Sequence, residues 1–378
     1  MIYLDHNSTS IMHNDLKNQI IEFFGEPLNP SSIHTYGRRA RNLLEESREY
    51  IASALYANLG RNGYKIIFTS GATEANNLAL KGFDAKHILY DPTSHASVIE
   101  ALRSFENKHK LTVNKQGQLD LAQLEELLFT YKDTKILVTV IAANNETGVI
   151  QPVSDISKIC KKYSAYLHLD SAQTFGKIEF NITSLDVDLA SISAHKIGGL
   201  TGTGALIVKY DIKLTPLIEG GGQEKSERSG TENLIGAISF GLAAKKIHEN
   251  IGEFNTRILK LRDFLEENIN LSPNAIIIGQ NTSRLPNTSL ISTIGVDSNL
   301  QLIKFDQSGI CVSNGAACSS GTVKRSHVIK EMGYDEEVAK SAVRVSFGLN
   351  NTIDDAKKFL NAWHETEEKM LKQKFRVA

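Results

Sequence analysis

A few short runs hold residue types whose spacing suits chemistry. In TSGATEANN an apolar stretch ends in Thr69, Ser70 and Gly71, and a helical pattern begins at Ala72. A helix start offers unbonded backbone N–H groups and the positive end of its dipole. With the Thr73 hydroxyl, and a glycine that leaves the approach open, it suits a phosphate. Taken alone, an ordinary capped helix explains the run equally well. It is no nucleotide P-loop, because Gly-x-x-x-x-Gly-Lys-Ser/Thr occurs nowhere in the chain. In LHLDSAQ an apolar strand delivers Asp170 and then Gln173 at its carboxyl end, where open α/β sheets place ligands. A carboxylate there can pair with a protonated pyridine nitrogen and keep the ring an electron sink, as pyridoxal chemistry requires. Capping of the following turn is the simpler reading of one aspartate. In SISAHKIGGLTGTG small residues lead to His195 and Lys196. A lysine desolvated beside cationic groups reacts as a free amine, which makes Lys196 a Schiff-base candidate, although most lysines are solvated surface residues. The order of phosphate turn, aspartate strand and lysine strand is difficult to obtain by chance.

Cysteines offer a further reactive group. Cys160, in ISKICKKY, is expected to face inward on a helix, and Cys311, in the apolar strand GICVSNG, reads the same way, as inert core. Cys318 lies in GAACSSGT, a run of small residues in which a thiol can be exposed and moved, with buried structural cysteine as the alternative. None of the cysteines is spaced as a zinc or thioredoxin-type pair. Their small number fits a reducing, cytoplasmic setting better than a disulfide framework.

The elements that must position these groups alternate. Helix is expected at YGRRARNLLEESREYIASALYA, ATEANNLALKGF, SVIEALRSFENKHK, LAQLEELLFTY and VSDISKICKKY, and strand at KIIFTSG, HILY, KILVTVIAA, AYLHLDS, DLASISA and TGALIVKY. That pattern implies an α/β fold with a mainly parallel, doubly wound sheet. Two long helical patterns follow GGGQEKSERSGTEN. Short strands at NAIIIG, LPNTSLISTI, GICVSNG and AVRVSFG, with the helix NLQLIKFDQ and a terminal helix, suggest a smaller α+β unit. The change of pattern near residues 245–255 gives a large unit over 11–250 and a small one from 1–10 plus 251–378. The 378 residues are 41% hydrophobic, and 42 Lys plus Arg nearly cancel 43 Asp plus Glu, leaving no electrostatic footprint for nucleic acid or anionic membrane. The opening MIYLDHNSTS alternates like a strand and lacks the pattern of a secretory signal. No apolar run is long enough to span a membrane.

Taken together and in order, TSGATEANN, NNETG, LHLDSAQ, SAHKIGG, RSGTEN and GAACSSGT resemble the cysteine desulfurases, class-V aminotransferase-like enzymes of the type I pyridoxal-phosphate fold. The likeness runs from YLDHNSTS to the terminal helix. It implies pyridoxal 5′-phosphate as cofactor, with Ala72, Thr73, Ser193 and His195 around the phosphate and Thr231 offered by the partner subunit of a homodimer. It implies Lys196 as the Schiff-base lysine, Asp170 at the pyridine nitrogen, Gln173 at the ring hydroxyl, Asn145 at the ring edge or substrate, and His95 stacked on the ring. Arg344, in AVRVSFG, takes the place of the arginine that clamps the substrate carboxylate, a task suited to its planar fork.

The implied reaction converts L-cysteine to L-alanine. Lys196 moves the α-proton, His95 serves as proton carrier for the thiol, and Cys318 attacks the substrate sulfur to keep it as a persulfide. The sulfur then passes to an acceptor protein, an iron–sulfur scaffold or a tRNA thiolation enzyme. No resident metal is implied, though Cys318 could transiently ligate an iron–sulfur cluster. Where the family usually has Asn-Ala-Thr-Thr-Pro, this chain has Asn7-Ser8-Thr9-Ser10-Ile11, which bears on how the amino-terminal segment meets the substrate. The ending EEKMLKQKFRVA is shorter than the tail with which housekeeping members dock the scaffold. Rival readings are a selenocysteine lyase or another lyase or transaminase of the same fold, and a non-catalytic binding subunit.

Overall fold

The computed structural model describes residues 1–314 and 325–377, with side chains of the terminal helix described through Met370. The expected strands of the first two thirds form a seven-stranded sheet in the order Tyr64–Thr69, Gly204–Lys209, Leu189–Ser193, Tyr166–Asp170, Ile136–Ile141, His87–Tyr90 and Lys108–Lys110. Pairing is parallel from Leu189–Ser193 to Lys108–Lys110, and Gly204–Lys209 runs antiparallel to both of its neighbours. Tyr64–Thr69 therefore points the same way as the parallel strands, and their carboxyl ends gather on one edge. Every residue of Ile136–Ile141 and Leu189–Ser193 is buried, as expected of strands covered on both faces by helices.

A four-stranded antiparallel sheet, in the order Ser313–Asn314, Ala342–Ser346, Thr288–Thr293 and Ala275–Ile277, forms beside the long helix Leu234–Ile269 and the terminal helix Ile353–Val377. Its core, which includes Ile258, Leu265, Val345, Phe359 and Trp363, also takes in Leu4. The chain's beginning reaches it by pairing Ile2–Tyr3 with Ile310–Cys311 and bridging Asp5 to Ser346.

Some expectations need correction. The segment SVIEALRSFENKHK is not one helix: the α-helix Ala96–Ala101 gives way to a single turn at Leu102–Ser104, and Lys108–Lys110 is the edge strand. Pairing with His87–Tyr90 outweighs the helical periodicity there. The two helical patterns after GGGQEKSERSGTEN are one 36-residue helix, Leu234–Ile269, which runs through residues 245–255 unbroken. The run GICVSNG splits into Ile310–Cys311 and Ser313–Asn314, each paired with a different strand, and Cys311 is only half-buried, not core. Cys160 is core, and burial pushes its thiol pKa up. Among the described residues no helix is long and apolar enough to cross a membrane.

His168, in the middle of the sheet, shows how polar groups are accommodated there. It is fully buried, its Nδ1 lying 2.8 Å from Thr139 Oγ1 and its Nε2 2.9 Å from Ser191 Oγ, so it ties three adjacent strands together. Burial lowers its pKa to about 4. The unfolded chain takes up a proton near pH 6.5 while the folded imidazole stays neutral, so this group's stability is present above about 6.5 and lost as pH falls to about 4. We expect chemical denaturation to show stability falling across that interval, with His168 contributing on the order of 3 kcal/mol. A His168→Gln variant should show a correspondingly shallower fall.

Candidate active site

The gathered strand ends surround a cavity of about 460 Å³. Its walls include Ala72, Thr73, His95, Asn145, Asp170, Gln173, Ser193, His195, Lys196 and Arg344, so one space brings together ten of the residues singled out in the sequence. Thr231 is exposed and does not line the cavity of its own chain. Cys318 lies outside the described residues.

The helix Ala72–Gly82 starts at this cavity, and no side chain caps its first turn. The strand Gly204–Lys209 presses against that turn, and a Cβ at Gly204 would meet the Gly71 Cα at 2.6 Å. Glycine is required for this approach. One turn further along the same helix, buried Asn76 donates to Asp170 Oδ2 at 2.8 Å and to Ser97 Oγ at 2.9 Å. Ser97 Oγ lies 2.8 Å from His95 Nδ1, which also accepts from the Ser97 N–H. These contacts make Nδ1 the unprotonated nitrogen, so the His95 proton resides on Nε2. Asp170 Oδ1 accepts the Ala172 N–H at 3.1 Å, so the carboxylate caps its turn and also faces the cavity. Among the described residues no cationic side chain pairs with it, although it is 3% exposed.

Lys196 sits in the short 3₁₀ turn Ala194–Ile197, which Gly198 ends at φ +86°. Its Nζ donates to the carbonyls of Asn7 at 2.7 Å and Ser8 at 2.8 Å. His195 Nδ1 lies 2.7 Å from Thr9 Oγ1, and burial together with Lys196 and Lys177 lowers its pKa to about 4. Arg344 is 2% exposed, with Nη2 on Asp5 Oδ1 at 2.6 Å and Nη1 on the Asn145 carbonyl at 3.0 Å, while its buried Nε has no partner.

The residues fit pyridoxal phosphate on their own chemistry. An uncapped helix start suits the phosphate, a buried carboxylate without a protein cation suits a ring N–H, and a lysine amine stands in the same cavity.

Comparison with known proteins agrees. The aminotransferase class-V family model matches residues 2–359. A cysteine desulfurase IscS of Dictyoglomus turgidum is 37% identical over 98% of this chain and 95% of its own length. The chain belongs to the cysteine desulfurase family. Among other desulfurases, one named IscS 1 from Archaeoglobus fulgidus is 35% identical over 95% of each chain. The solved structure of a NifS-like protein from Rickettsia africae superposes with a TM-score of 0.91, at 44% identity, over 97% of this desulfurase and 99% of that chain. The class-V family is pyridoxal-phosphate-dependent.

Sequence reasoning passed over several residues of this desulfurase site. Asn7 is 1% exposed and uses every polar group it has, and Lys177 is 4% exposed. Glu146, within NNETG, is buried; it accepts a 2.5 Å bond from Ser326 Oγ, and burial raises its pKa to about 7. A cluster of polar residues in the otherwise strand-like opening was the available signal for Asn7. Replacing Asn7 with alanine would leave Asn287, Thr288, Lys177 and the Asn145 carbonyl each short of a partner. We expect Asn7→Ala to cost roughly 2–4 kcal/mol of unfolding free energy, read from urea denaturation.

Proposed function

We propose that this desulfurase binds pyridoxal 5′-phosphate in the 460 Å³ cavity and converts L-cysteine to L-alanine, keeping the sulfur on Cys318. One juxtaposition carries the reading: an uncapped helix start, a buried carboxylate with no cationic partner among the described residues, and a lysine amine share that cavity. The cofactor, when bound, supplies a ring that accepts the electron pair left at the substrate Cα. Ala72, Thr73, Ser193 and His195 hold the phosphate with Thr231 of the partner subunit, which makes the working unit a homodimer. Asp170 holds the ring nitrogen, Gln173 meets the ring hydroxyl, and His95 covers the ring face. Asn145 lies at the ring edge.

Arg344 grips the substrate carboxylate through its Nε and the second hydrogens of its terminal nitrogens, since Asp5 and the Asn145 carbonyl already take the others. Lys196 Nζ, once released, takes the proton from Cα and returns it. The His95 Nε2–H is set to exchange a proton with the thiols, because Nδ1 is held as an acceptor by Ser97. The Cys318 thiolate attacks the substrate sulfur. The S–S bond forms, the substrate C–S bond breaks, and protonation of the carbon product completes alanine, so cysteine plus a thiol becomes alanine plus a persulfide.

Lys196 and Asp170 are both present, which disfavours a purely structural subunit. The cytoplasm, where thiols stay reduced, is the fitting compartment. A sulfur-acceptor protein, either an iron–sulfur scaffold or a tRNA thiolation enzyme, takes the persulfide sulfur. On this reading residues 11–250 form the cofactor-binding unit and residues 1–10 with 251–378 the smaller one. Separate hydrophobic clusters support that division, and the helix Leu234–Ile269 is shared between the units.

The test is to incubate the purified protein with L-cysteine, quantify alanine and map persulfide by mass spectrometry. Alanine with persulfide on Cys318 is expected. Lys196→Ala should lose all turnover. Cys318→Ala should keep the cofactor's visible absorbance and lose the persulfide, and normal turnover by that variant would refute the mechanism.

A further inference from the structure

Among the described residues Lys177 is the one lysine that is buried, and no acidic side chain pairs with it there. Burying an amine without an acid is costly, which points to a use for it. Its Nζ donates to Asn7 Oδ1 at 2.6 Å and to Gln173 Oε1. Burial, reinforced by Lys196 and Arg344, holds its pKa well below the usual lysine range.

The consequence falls on Gln173. A carboxamide has an accepting and a donating end, and only its partners decide which way it faces. Gln173 Nε2 donates to the Asn7 carbonyl at 3.0 Å, a group that can only accept, while Oε1 is taken by Lys177. Both contacts enforce one orientation. Gln173 lines the cavity, and with Oε1 taken by Lys177 and one Nε2 hydrogen by Asn7, the group it has left to offer there is the remaining Nε2 hydrogen.

We propose that Lys177 is a positioning residue: by occupying Gln173 Oε1 it makes this part of the cavity wall a hydrogen-bond donor that selects a ring bearing an anionic oxygen. The proposal rests on the cofactor reading above. Without a donor at Oε1 only the Asn7 carbonyl still opposes turning, and because Lys196 also donates to that carbonyl the amide can turn without leaving it unbonded; its oxygen would then oppose that of the ring.

The test compares two ligands that cannot bond covalently to a lysine, pyridoxamine 5′-phosphate and its analogue lacking the ring hydroxyl. Each is titrated by calorimetry into cofactor-free protein. The wild-type chain should prefer the hydroxylated ligand by about tenfold, the usual worth of one buried hydrogen bond. Lys177→Met should reduce the ratio to within about twofold. Methionine is close to lysine in length and removes the burial of an amine, so the variant should fold. Lys177→Gln, about one bond length short of Gln173 Oε1, gives the same loss and answers the question if the methionine variant does not fold. Lys177→Arg, which keeps a donor and can extend into the adjoining cavity of about 320 Å³ that Lys177 also lines, should retain the preference. In a Gln173→Ala background, already without preference, Lys177→Met should change nothing further. The inference is overturned if Lys177→Met keeps the wild-type ratio, or if it alters the ratio equally without Gln173. Failure of the wild-type protein to bind either ligand would overturn the cofactor reading itself, and this inference with it.

Discussion

The bonds made by Asn7 join the two sheets, and the site depends on that joint. Its N–H donates to Ser346 Oγ at 2.9 Å and its Nδ2 to Thr288 Oγ1 at 2.9 Å, while Asn287 Nδ2 reaches its Oδ1 at 3.0 Å. Those partners belong to the small sheet or the turn that leads into it. Its carbonyl meanwhile receives Lys196 and Gln173, its Oδ1 receives Lys177, and its Nδ2 reaches the Asn145 carbonyl, all from the edge of the large sheet. A buried network of this kind stabilises only when every member is satisfied. Here the chain's first strand, laid along Ile310–Cys311, delivers the residue that satisfies it.

Charge in the cavity follows from this crowding. His6, Lys177, His195, Lys196 and Arg344 lie near one another, and burial plus the neighbouring lysines brings both imidazoles to about 4 and depresses Lys177. The two histidines and Lys177 are thereby biased toward their neutral forms, while Arg344 is paired with Asp5. On the proposed reading, anion binding then falls to the helix start at Ala72 and cation binding to Asp170. Asn76, which holds Asp170, is one turn from Ala72 on the same helix, so helix geometry sets the spacing of the two at about 6 Å along the axis.

Much of this arrangement was legible in the sequence, for reasons that are local. Apolar runs ending in Thr69, Asp170 and Ser193 mark strands that point one way, and the small residues around Lys196 lie along the cavity wall. What escaped reading depends on partners far away in the chain. Asn7 is unremarkable until Lys177, Thr288 and Ser346 are known to converge on it. Lys177 drew no reading because one of its acceptors, Asn7, lies far away in the chain. The link from Asp170 through Asn76 and Ser97 to His95 joins three segments, and no single window contains it. The strand Lys108–Lys110 was lost for the same reason, since only a neighbouring edge makes those residues a strand.

The division of labour between the sheets explains why the joint must be rigid. The large sheet's edge carries the helix start at Ala72, Asp170 and Lys196, which on the proposed reading together fix where a ring would lie. The small sheet carries Arg344, and register pairs Arg344 with Ser313, just before the segment 315–324 that contains Cys318. Beyond that segment Ser326 caps the helix His327–Glu331 and is bonded to Glu146, next to Asn145. Both flanks of the cysteine-bearing segment are thus tied to groups that line or border the cavity. On the proposed reading, a shift of one sheet against the other would move Arg344, as carboxylate anchor, and the flanks of the segment that holds Cys318 together, away from Lys196 as the amine that moves the proton. Proton transfer and sulfur attack tolerate displacements of only about an ångström. Under the proposed roles, the buried, fully bonded asparagine between the sheets bears directly on the reaction, since it holds the edge of the large sheet and the strand of Arg344 in one register.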